Sequence, residues 1–130
     1  MQGLQEAGLL DESIVKMGMG FHGGVAGLQE LCGAFTGGVM ALSYQVGGQD
    51  REYKERKKMT DQAVRRLAHR FKEREGDLHC REITGMDLRD PEQFKLFRET
   101  VSKTKCRPLV EYVIKQILTT KEEGGVLSNE

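Results

Sequence analysis

Residues 28–46 read LQELCGAFTGGVMALSYQV. The apolar residues of this stretch recur at helical spacing and it carries almost no charge, so it predicts a deeply buried helix. Gly33, Gly37 and Ala41 fall four apart on one face of that helix, where the small side chains allow another helix to approach closely. Tight helix packing is the simplest interpretation of this face.

Four further helices are predicted on either side of this stretch. Asp11 and Asp90 are good N-cap residues, and Pro91 and Pro108 suit the first position of a helix. Gly76 is a favourable residue to end a long amphipathic helix. The four helices are predicted over residues 12–19, 50–75, 90–101 and 108–118, with Phe94, Phe97 and Val101 facing the core.

Strand signals are nearly absent, and helix formers dominate the sequence. The chain of 130 residues and 14.6 kDa is long enough for one compact core. We therefore predict a single all-α domain over residues 1–130, folded as an irregular bundle of about five helices. Its core is expected over residues 8–118, and residues 121–130 are expected to form a frayed tail.

The overall charge does not point to a polyanionic partner. Twenty Lys and Arg balance twenty Asp and Glu, so we expect neither nucleic acid nor an anionic membrane as a partner. The sequence has no apolar run of the roughly 18 to 20 residues that span a bilayer, and its N-terminal residues do not resemble a signal peptide. We therefore expect a cytoplasmic protein.

Three cysteines, Cys32, Cys80 and Cys106, occur in three separate settings. They are too far apart in sequence to form a CxxC redox pair or half of a zinc finger, so folding would have to assemble any joint site. An odd number of cysteines argues against a purely structural disulfide framework. Reactive thiols, or thiolate ligands of a metal, are the leading functional hypothesis, and buried structural cysteines are the alternative.

Each cysteine has neighbours that favour the thiolate. Cys32 is predicted in the first turns of the buried helix, where unpaired backbone N–H groups can lower the pKa of a thiol. A lysine and an arginine flank Cys106. Cys80 is predicted on a loop, between His79 and an arginine. We therefore expect all three thiols to be reactive.

The cysteine settings carry a family resemblance. The segment Cys32-Gly-Ala-x-x-Gly37 follows a glycine-rich run at residues 18–24 and precedes the isolated Cys80 and Cys106. This order and spacing resembles the C-GCAxxG-C-C family, whose members are described as redox-active. The segment CREITG at residues 80–85 resembles the family's third-cysteine segment, and Cys106 matches the last cysteine. The resemblance implies a redox role, through an iron–sulfur centre or a cysteine pair.

The chain departs from the family pattern in one respect. The family has four cysteines, and the first lies on a helix ahead of the segment that matches residues 8–12; this sequence has three. Either the start is truncated, or this member works with three thiols.

Two chemistries remain open for an oxidoreductase or electron-transfer component. In one, Cys32, Cys80 and Cys106 bind an iron–sulfur cluster or another metal, with a fourth ligand from His79, from His22, from the family's additional cysteine or from a partner molecule. In the other, two of the thiols form a reversible disulfide, and the third is a resolving or mixed-disulfide thiol. Zinc also remains open as the metal, although the sequence lacks the paired ligand spacing that is typical of zinc sites. The residues predicted to bind a cofactor are Gly33, Gly37 and His79.

The alternative function is a non-catalytic helical interaction module with structural cysteines. Residues 51–75 hold ten Lys or Arg against five Asp or Glu, and this basic helix or the Gly33, Gly37 and Ala41 face would then bind a partner. The charges interleave at helical spacing, which is also typical of a solvated helix face. Under the redox hypothesis the partner is an unknown redox protein, and the odd cysteine count allows a homodimer.

Overall fold

The computed structural model describes residues 1–6, 8 and 10–122. These residues form seven α-helices and no β-strand, so the predicted all-α, single-domain class is confirmed. None of the helices in this part of the chain is long and apolar enough to cross a membrane. The helices are α1 (Gln2–Glu6), α2 (Glu12–Met17), α3 (Gly33–Gly47), α4 (Tyr53–Glu75), α5 (Cys80–Thr84), α6 (Pro91–Glu99) and α7 (Arg107–Glu122).

All five predicted helices are present, as α2, α3, α4, α6 and α7, and the two additional helices, α1 and α5, are short. The largest boundary error concerns α3, which begins at Gly33 instead of residue 28. The helix α7 runs to Glu122, beyond the predicted end at residue 118. Residues 121 and 122, the first two of the predicted frayed tail, are therefore helical, and the rest of that tail lies outside the described residues.

Local signals explain where several helices begin and end. The Asp11 carboxylate accepts a hydrogen bond of 2.9 Å from the Ser13 N–H, and this caps α2. Asp90 caps α6 in the same way, ahead of a proline at the first helical position. Gly76 ends α4 with a φ of 83°, a left-handed conformation that glycine adopts without a steric penalty.

The core lies where α3 packs against α4 and α7. The closest approach is at Gly38, where an added Cβ would lie 2.7 Å from Leu67 Cδ2 on α4 and 2.9 Å from Val113 Cγ1 on α7. Glycine suits this contact, because a larger residue would force the Leu67 and Val113 side chains to shift. The fully buried side chains around it include Phe71, Leu42, Leu109, Ile117 and Val46.

The predicted small-residue face is displaced from this contact. Ala41 is 1% exposed and belongs to the core, as expected. Gly33 instead lies against the Phe21 carbonyl, 2.9 Å from the position of an added Cβ, and Gly37 lies beside Met1. The glycine that brings the long helices together is therefore Gly38, one residue beyond the predicted face.

The helix α6 lies on the surface, so the prediction that it faces the core is wrong. None of its described residues is buried. Phe94 is 42% exposed, stacks on Phe97 with ring centroids 6.3 Å apart, and lies under the Arg98 guanidinium at 5.9 Å. The apolar positions of α6 thus contact one another, and Phe97 and Val101 are only half-buried.

Candidate functional site

Two extended segments pair antiparallel at the start of α3 and bring two of the cysteines side by side. The Cys32 N–H donates to the Leu78 carbonyl at 2.8 Å, and the Cys80 N–H donates to the Glu30 carbonyl at 2.8 Å. This pairing also corrects the predicted start of α3. The backbone from residue 30 to Cys32 is extended, so Cys32 is the N-cap of α3 and not a member of its first turns.

The pairing register places Cys32 and Cys80 on the same face. Leu31 lies directly opposite His79, and successive residues of an extended segment point to opposite faces. Cys32 and Cys80 are therefore diagonal neighbours, for which Cα atoms are about 7–8 Å apart. That separation lies beyond the roughly 4.4–6.8 Å usual for a disulfide, so the bond requires the backbone of the two segments to move closer together.

His79, a predicted ligand, is directed away from the thiols. Its ring Nδ1 contacts the Asp77 carboxylate at 2.7 Å, and about half of its side chain is exposed. Cys80 itself is the first residue of the short helix α5, and the prediction that it lies on a loop is wrong. His22 is exposed and lies elsewhere, in a pocket described below.

The third thiol joins the other two from a distant segment. Cys106 ends a π-helical turn, Ser102–Cys106, that leads directly into α7. It is close enough to both other thiols that a negative charge on Cys32 or Cys80 raises the pKa of Cys106. Cys106 therefore lies within electrostatic range of both other thiols, and the three are here called the thiol cluster.

Burial raises the pKa of all three thiols, so the expectation that their surroundings favour the thiolate is wrong. For Cys32, desolvation outweighs the hydrogen bonds from the Ala34 and Phe35 N–H groups, which lower its pKa. Desolvation and then the charge of Cys32 raise the pKa of Cys80. The pKa of Cys106 is raised most, to about 11, and its lysine neighbour only partly offsets that rise. The reduced cluster is therefore held mainly as neutral thiols at pH 7.

Glu75, which the sequence analysis did not single out, lies beside the thiol cluster. Its side chain is 9% exposed, with the carboxylate 4.0 Å from Lys105 Nζ and 3.4 Å from Arg74 Nε. Its negative charge raises the pKa of Cys32 and of Cys106. Glu75 is the last residue of α4, and a negative charge is unfavourable at the C-terminal end of a helix. This unfavourable placement is the sequence signal that could have drawn attention to Glu75.

Gln29 is the second residue that sequence reasoning missed. It is 6% exposed and has a φ of 58°, the left-handed region that non-glycine residues rarely adopt. Its side-chain amide accepts from the Leu88 N–H at 3.0 Å and donates to the Met86 carbonyl at 2.7 Å. A hydrogen bond from this amide lowers the pKa of Cys80. No pattern around a single polar residue in this stretch would have indicated that role.

The glycine-rich run forms a left-handed turn that covers Cys80. Residues 23–27 all have positive φ values, between 50° and 76°, including the β-branched Val25 at 67°. A Cβ added to Gly24 would lie 2.8 Å from Cys80 Cβ and 2.7 Å from the Gln29 Cα. Only glycine fits at residue 24, and the turn is packed directly against the thiol cluster.

Gly33 and Gly37, predicted to bind a cofactor, line a separate pocket of about 310 Å³. Cys32 precedes Gly33 in the chain but is not among the described residues that line this pocket. Thioether and aromatic groups dominate the lining, which makes it a mainly apolar surface. The other lining residues are Met1, Val15, Gly18, Met19, Phe21, His22 and Met40.

The donors of the thiol cluster suit iron chemically, but their arrangement does not. Thiolates are the usual ligands of iron–sulfur clusters. Within the described residues, however, no group of three or more His, Cys, Asp or Glu side chains is arranged to hold a metal ion. Cys32, Cys80 and Cys106 are free thiols in this structure, and free thiols are the reactants of thiol–disulfide exchange.

Comparison with known proteins gave one match. A family model described as "Putative redox-active protein (C_GCAxxG_C_C)" matches residues 1–120, a range that includes all three cysteines and the left-handed turn. No curated protein and no solved structure matches the chain.

Proposed function

Because this chain belongs to the C_GCAxxG_C_C family of putative redox-active proteins, we propose that it exchanges electrons through a reversible disulfide between Cys32 and Cys80. The observation that carries the proposal is the antiparallel pairing of the two cysteine segments, with backbone hydrogen bonds of 2.8 Å on either side. These two thiols come from distant parts of the chain, and this register holds them as diagonal neighbours on one face.

The reaction starts from the reduced protein. Cys32 is half-buried and Cys80 is 8% exposed, so Cys32 is the thiol that a partner can reach. The Cys32 thiolate attacks a disulfide of the partner, which releases one partner thiolate and leaves a mixed disulfide on Cys32. The Cys80 thiolate then attacks Cys32 Sγ and releases the second partner thiolate. Two electrons pass to the partner, and the two thiol protons end on its sulfurs.

Cys106 is the third thiol of this scheme. It lies within electrostatic reach of both Cys32 and Cys80, and its pKa of about 11 makes it the least ionised of the three at neutral pH. We assign it a reserve role, as a resolving thiol when the mixed disulfide on Cys32 persists. A free third thiol also provides a route to a covalent homodimer. The partner we propose is a redox protein with an accessible disulfide or dithiol.

Cysteine variants test the assignment. Under mild oxidation with oxidised glutathione, the wild-type monomer should lose two thiols and yield a crosslinked peptide pair that contains Cys32 and Cys80. The Cys106→Ser variant should behave in the same way, and the Cys32→Ser and Cys80→Ser variants should not form this pair. A crosslink that requires Cys106 in every molecule would overturn the assignment.

A thiolate-ligated metal centre is the second candidate, because the matched family is described as redox-active and thiolates are the usual ligands of iron–sulfur clusters. The described thiols would have to move closer together to bind a metal. Bound metal displaces thiol protons, so it would reverse the raised pKa values of the free protein. Iron, zinc and sulfide analysis of protein purified without oxygen distinguishes this function from disulfide exchange.

A further inference from the structure

We propose that Gln29 is a catalytic residue of this exchange, and that its side-chain amide stabilises the Cys80 thiolate as the Cys32–Cys80 disulfide is reduced. This inference rests on the proposed function and deepens it. It assigns a chemical role to a buried residue that belongs to none of the cysteine motifs.

The backbone fixes which end of the amide faces the thiol cluster. Gln29 Oε1 accepts from the Leu88 N–H, which can only donate, at 3.0 Å. Gln29 Nε2 donates to the Met86 carbonyl, which can only accept, at 2.7 Å. The amide therefore cannot turn over without losing both bonds, and its donor nitrogen is kept beside Thr84, which lies four residues after Cys80 on α5.

One of the two amide hydrogens is available for a thiolate. The first is committed to Met86 in a short bond. The second is directed at Thr84 Oγ1 across 3.4 Å, a long and weak contact. A hydrogen bond to an anion is worth roughly twice a neutral one. When Cys80 becomes a thiolate, the second hydrogen therefore gains by moving from the threonine hydroxyl to sulfur.

The position of Gln29 is held at a conformational cost. Its φ of 58° is in a region where a non-glycine residue costs about 1–3 kcal/mol. The Gln29 N–H donates to the Gly23 carbonyl at 3.0 Å, and its carbonyl accepts from the Arg81 N–H at 3.4 Å. The backbone on both sides of the thiol cluster thus keeps the residue in this conformation, and strain of this kind concentrates at functional sites.

The Gln29 side-chain amide acts in the first step of the reductive half-reaction, when negative charge forms on Cys80. A thiolate of the reducing partner attacks Cys32 Sγ, the sulfur–sulfur bond breaks, and its electron pair leaves on Cys80 Sγ. A second partner thiolate then attacks the partner's own sulfur in the mixed disulfide, which frees Cys32 and gives the partner disulfide. Water protonates the two released thiolates. A leaving thiol with a lower pKa leaves faster.

The relative exposure of the two thiols supports Cys80 as the leaving group. Desolvation and then the charge of Cys32 raise the pKa of Cys80, and the hydrogen bond from the Gln29 amide lowers it. Desolvation raises the pKa of Cys32, hydrogen bonds from the Ala34 and Phe35 N–H groups lower it, and the Glu75 carboxylate adds a smaller rise. Cys32 is also the more exposed of the two, so it remains bonded to the partner while Cys80 leaves.

The test measures the reduction of the preformed Cys32–Cys80 disulfide by dithiothreitol in the full chain. Gln29→Asn tolerates the left-handed conformation but is too short to reach the thiol, and Gln29→Gly removes the side chain without backbone strain. Both variants should slow reduction about tenfold to hundredfold, the range expected for a lost hydrogen bond to a charged group.

Gln93→Ala is the matched control. Gln93 accepts from the Asp87 N–H at 2.9 Å, so its loss loosens the same loop without touching a cysteine. This control should reduce at the wild-type rate. Reduction of the Gln29 variants at the rate of Gln93→Ala would overturn the inference alone. If the wild-type protein forms no Cys32–Cys80 disulfide, the proposed function fails first.

A measurement on the unaltered side chain covers the case in which the Gln29 variants do not fold. In the NMR spectrum of the reduced wild-type protein, one Gln29 side-chain amide proton should shift downfield as Cys80 ionises on raising the pH. The shift should be lost in Cys80→Ser and kept in Cys106→Ser. An amide signal that does not follow the Cys80 titration would contradict the proposed hydrogen bond.

Discussion

The nearly buried carboxylate of Glu75 lies beside the thiol cluster, and replacing it with a neutral group should make Cys32 and Cys106 more reactive. In Glu75→Gln, the pKa of Cys32 and of Cys106 should fall, because the carboxylate raises both in the wild type. Alkylation of these two thiols by iodoacetamide at pH 7.5, followed by mass spectrometry, should be about two- to tenfold faster. Glu73→Gln is the control, since Glu73 is exposed on the same helix and pairs with His69. Equal alkylation rates in both variants would refute the role of Glu75.

Cys106 should make the reduced fold less stable at high pH. The folded protein holds its thiol proton up to a pKa of about 11, above the ordinary value of 9.0, so folding favours the protonated form. The stabilising contribution is therefore complete below pH 9 and is lost as the pH rises through 11. Urea unfolding between pH 8 and pH 10.5 should show a smaller loss of stability in Cys106→Ser than in wild type. The same pH dependence in both proteins would contradict this assignment.

The helix caps were predicted correctly from the sequence, whereas the ionisation of the three thiols was not. Asp11 and Asp90 were identified as caps because a cap depends only on residues two or three positions away. The ionisation of Cys106 depends on desolvation and on charges from Cys32, Cys80 and Glu75, which lie far away in sequence. Lys105, visible in the sequence, does lower the pKa of Cys106, but burial raises that pKa by more, and burial cannot be read from the sequence.

At the scale of elements, the packing of α3 against α4 and α7 should depend on Gly38. Gly38→Ala would place a methyl group within 3 Å of Leu67 and Val113 side chains, so it should cost about 1–3 kcal/mol of unfolding free energy. Gly37→Ala is the matched variant on the same helix, because its nearest contact, Met1 Cγ, is at 3.5 Å. It should be neutral or stabilising by up to about 1 kcal/mol from helix propensity. Urea denaturation that ranks the two variants equally would contradict this packing.

The left-handed turn over Cys80 gives a second prediction at this scale. Gly24→Ala and Gly27→Ala both force alanine into a positive φ, at 69° and 76°, so both should lose about 1 kcal/mol or more. Gly24→Ala also meets Cys80 Cβ and the Gln29 backbone, whereas no described atom lies within 4 Å of an added Cβ at Gly27. Only Gly24→Ala should therefore also change the oxidation rate of Cys80. An equal effect of both variants on oxidation would show that backbone strain alone matters.

Element boundaries were predictable where the signal was local. All five helices predicted from apolar periodicity, proline and cap residues are present. The start of α3 was predicted five residues too early, because the apolar period continues through Leu28 and Leu31. The helix does not extend back to Leu28 because the backbone before Gly33 pairs with the segment around Leu78. Apolar periodicity cannot reveal this contact between distant segments.

At the scale of the whole molecule, the interaction-module hypothesis stays a prediction. Residues 51–75, most of which form α4, carry an excess of Lys and Arg, and some of these charges are paired on the surface, as in Arg51 with Glu55 at 2.7 Å. Surface pairs of this kind contribute little to stability. Partner binding that survives replacement of all three cysteines by serine would favour this module over the redox function.

The assembly of the thiol cluster was the least predictable feature of the molecule. The sequence showed only that three dispersed cysteines would need folding to meet. The structure joins them through the antiparallel pairing at Cys32 and Cys80 and through the π-helical turn that ends at Cys106. Family resemblance indicated the redox role, and the pairing register indicated which two thiols form the proposed bond.

The most direct test of this account is a thiol and metal count on protein purified without oxygen, before and after mild oxidation. We expect three free thiols and no stoichiometric iron or zinc at the start. After oxidation we expect one free thiol per monomer and a crosslinked peptide pair containing Cys32 and Cys80. Stoichiometric metal bound by the thiols, or three thiols that remain free after oxidation, would contradict the proposed disulfide exchange.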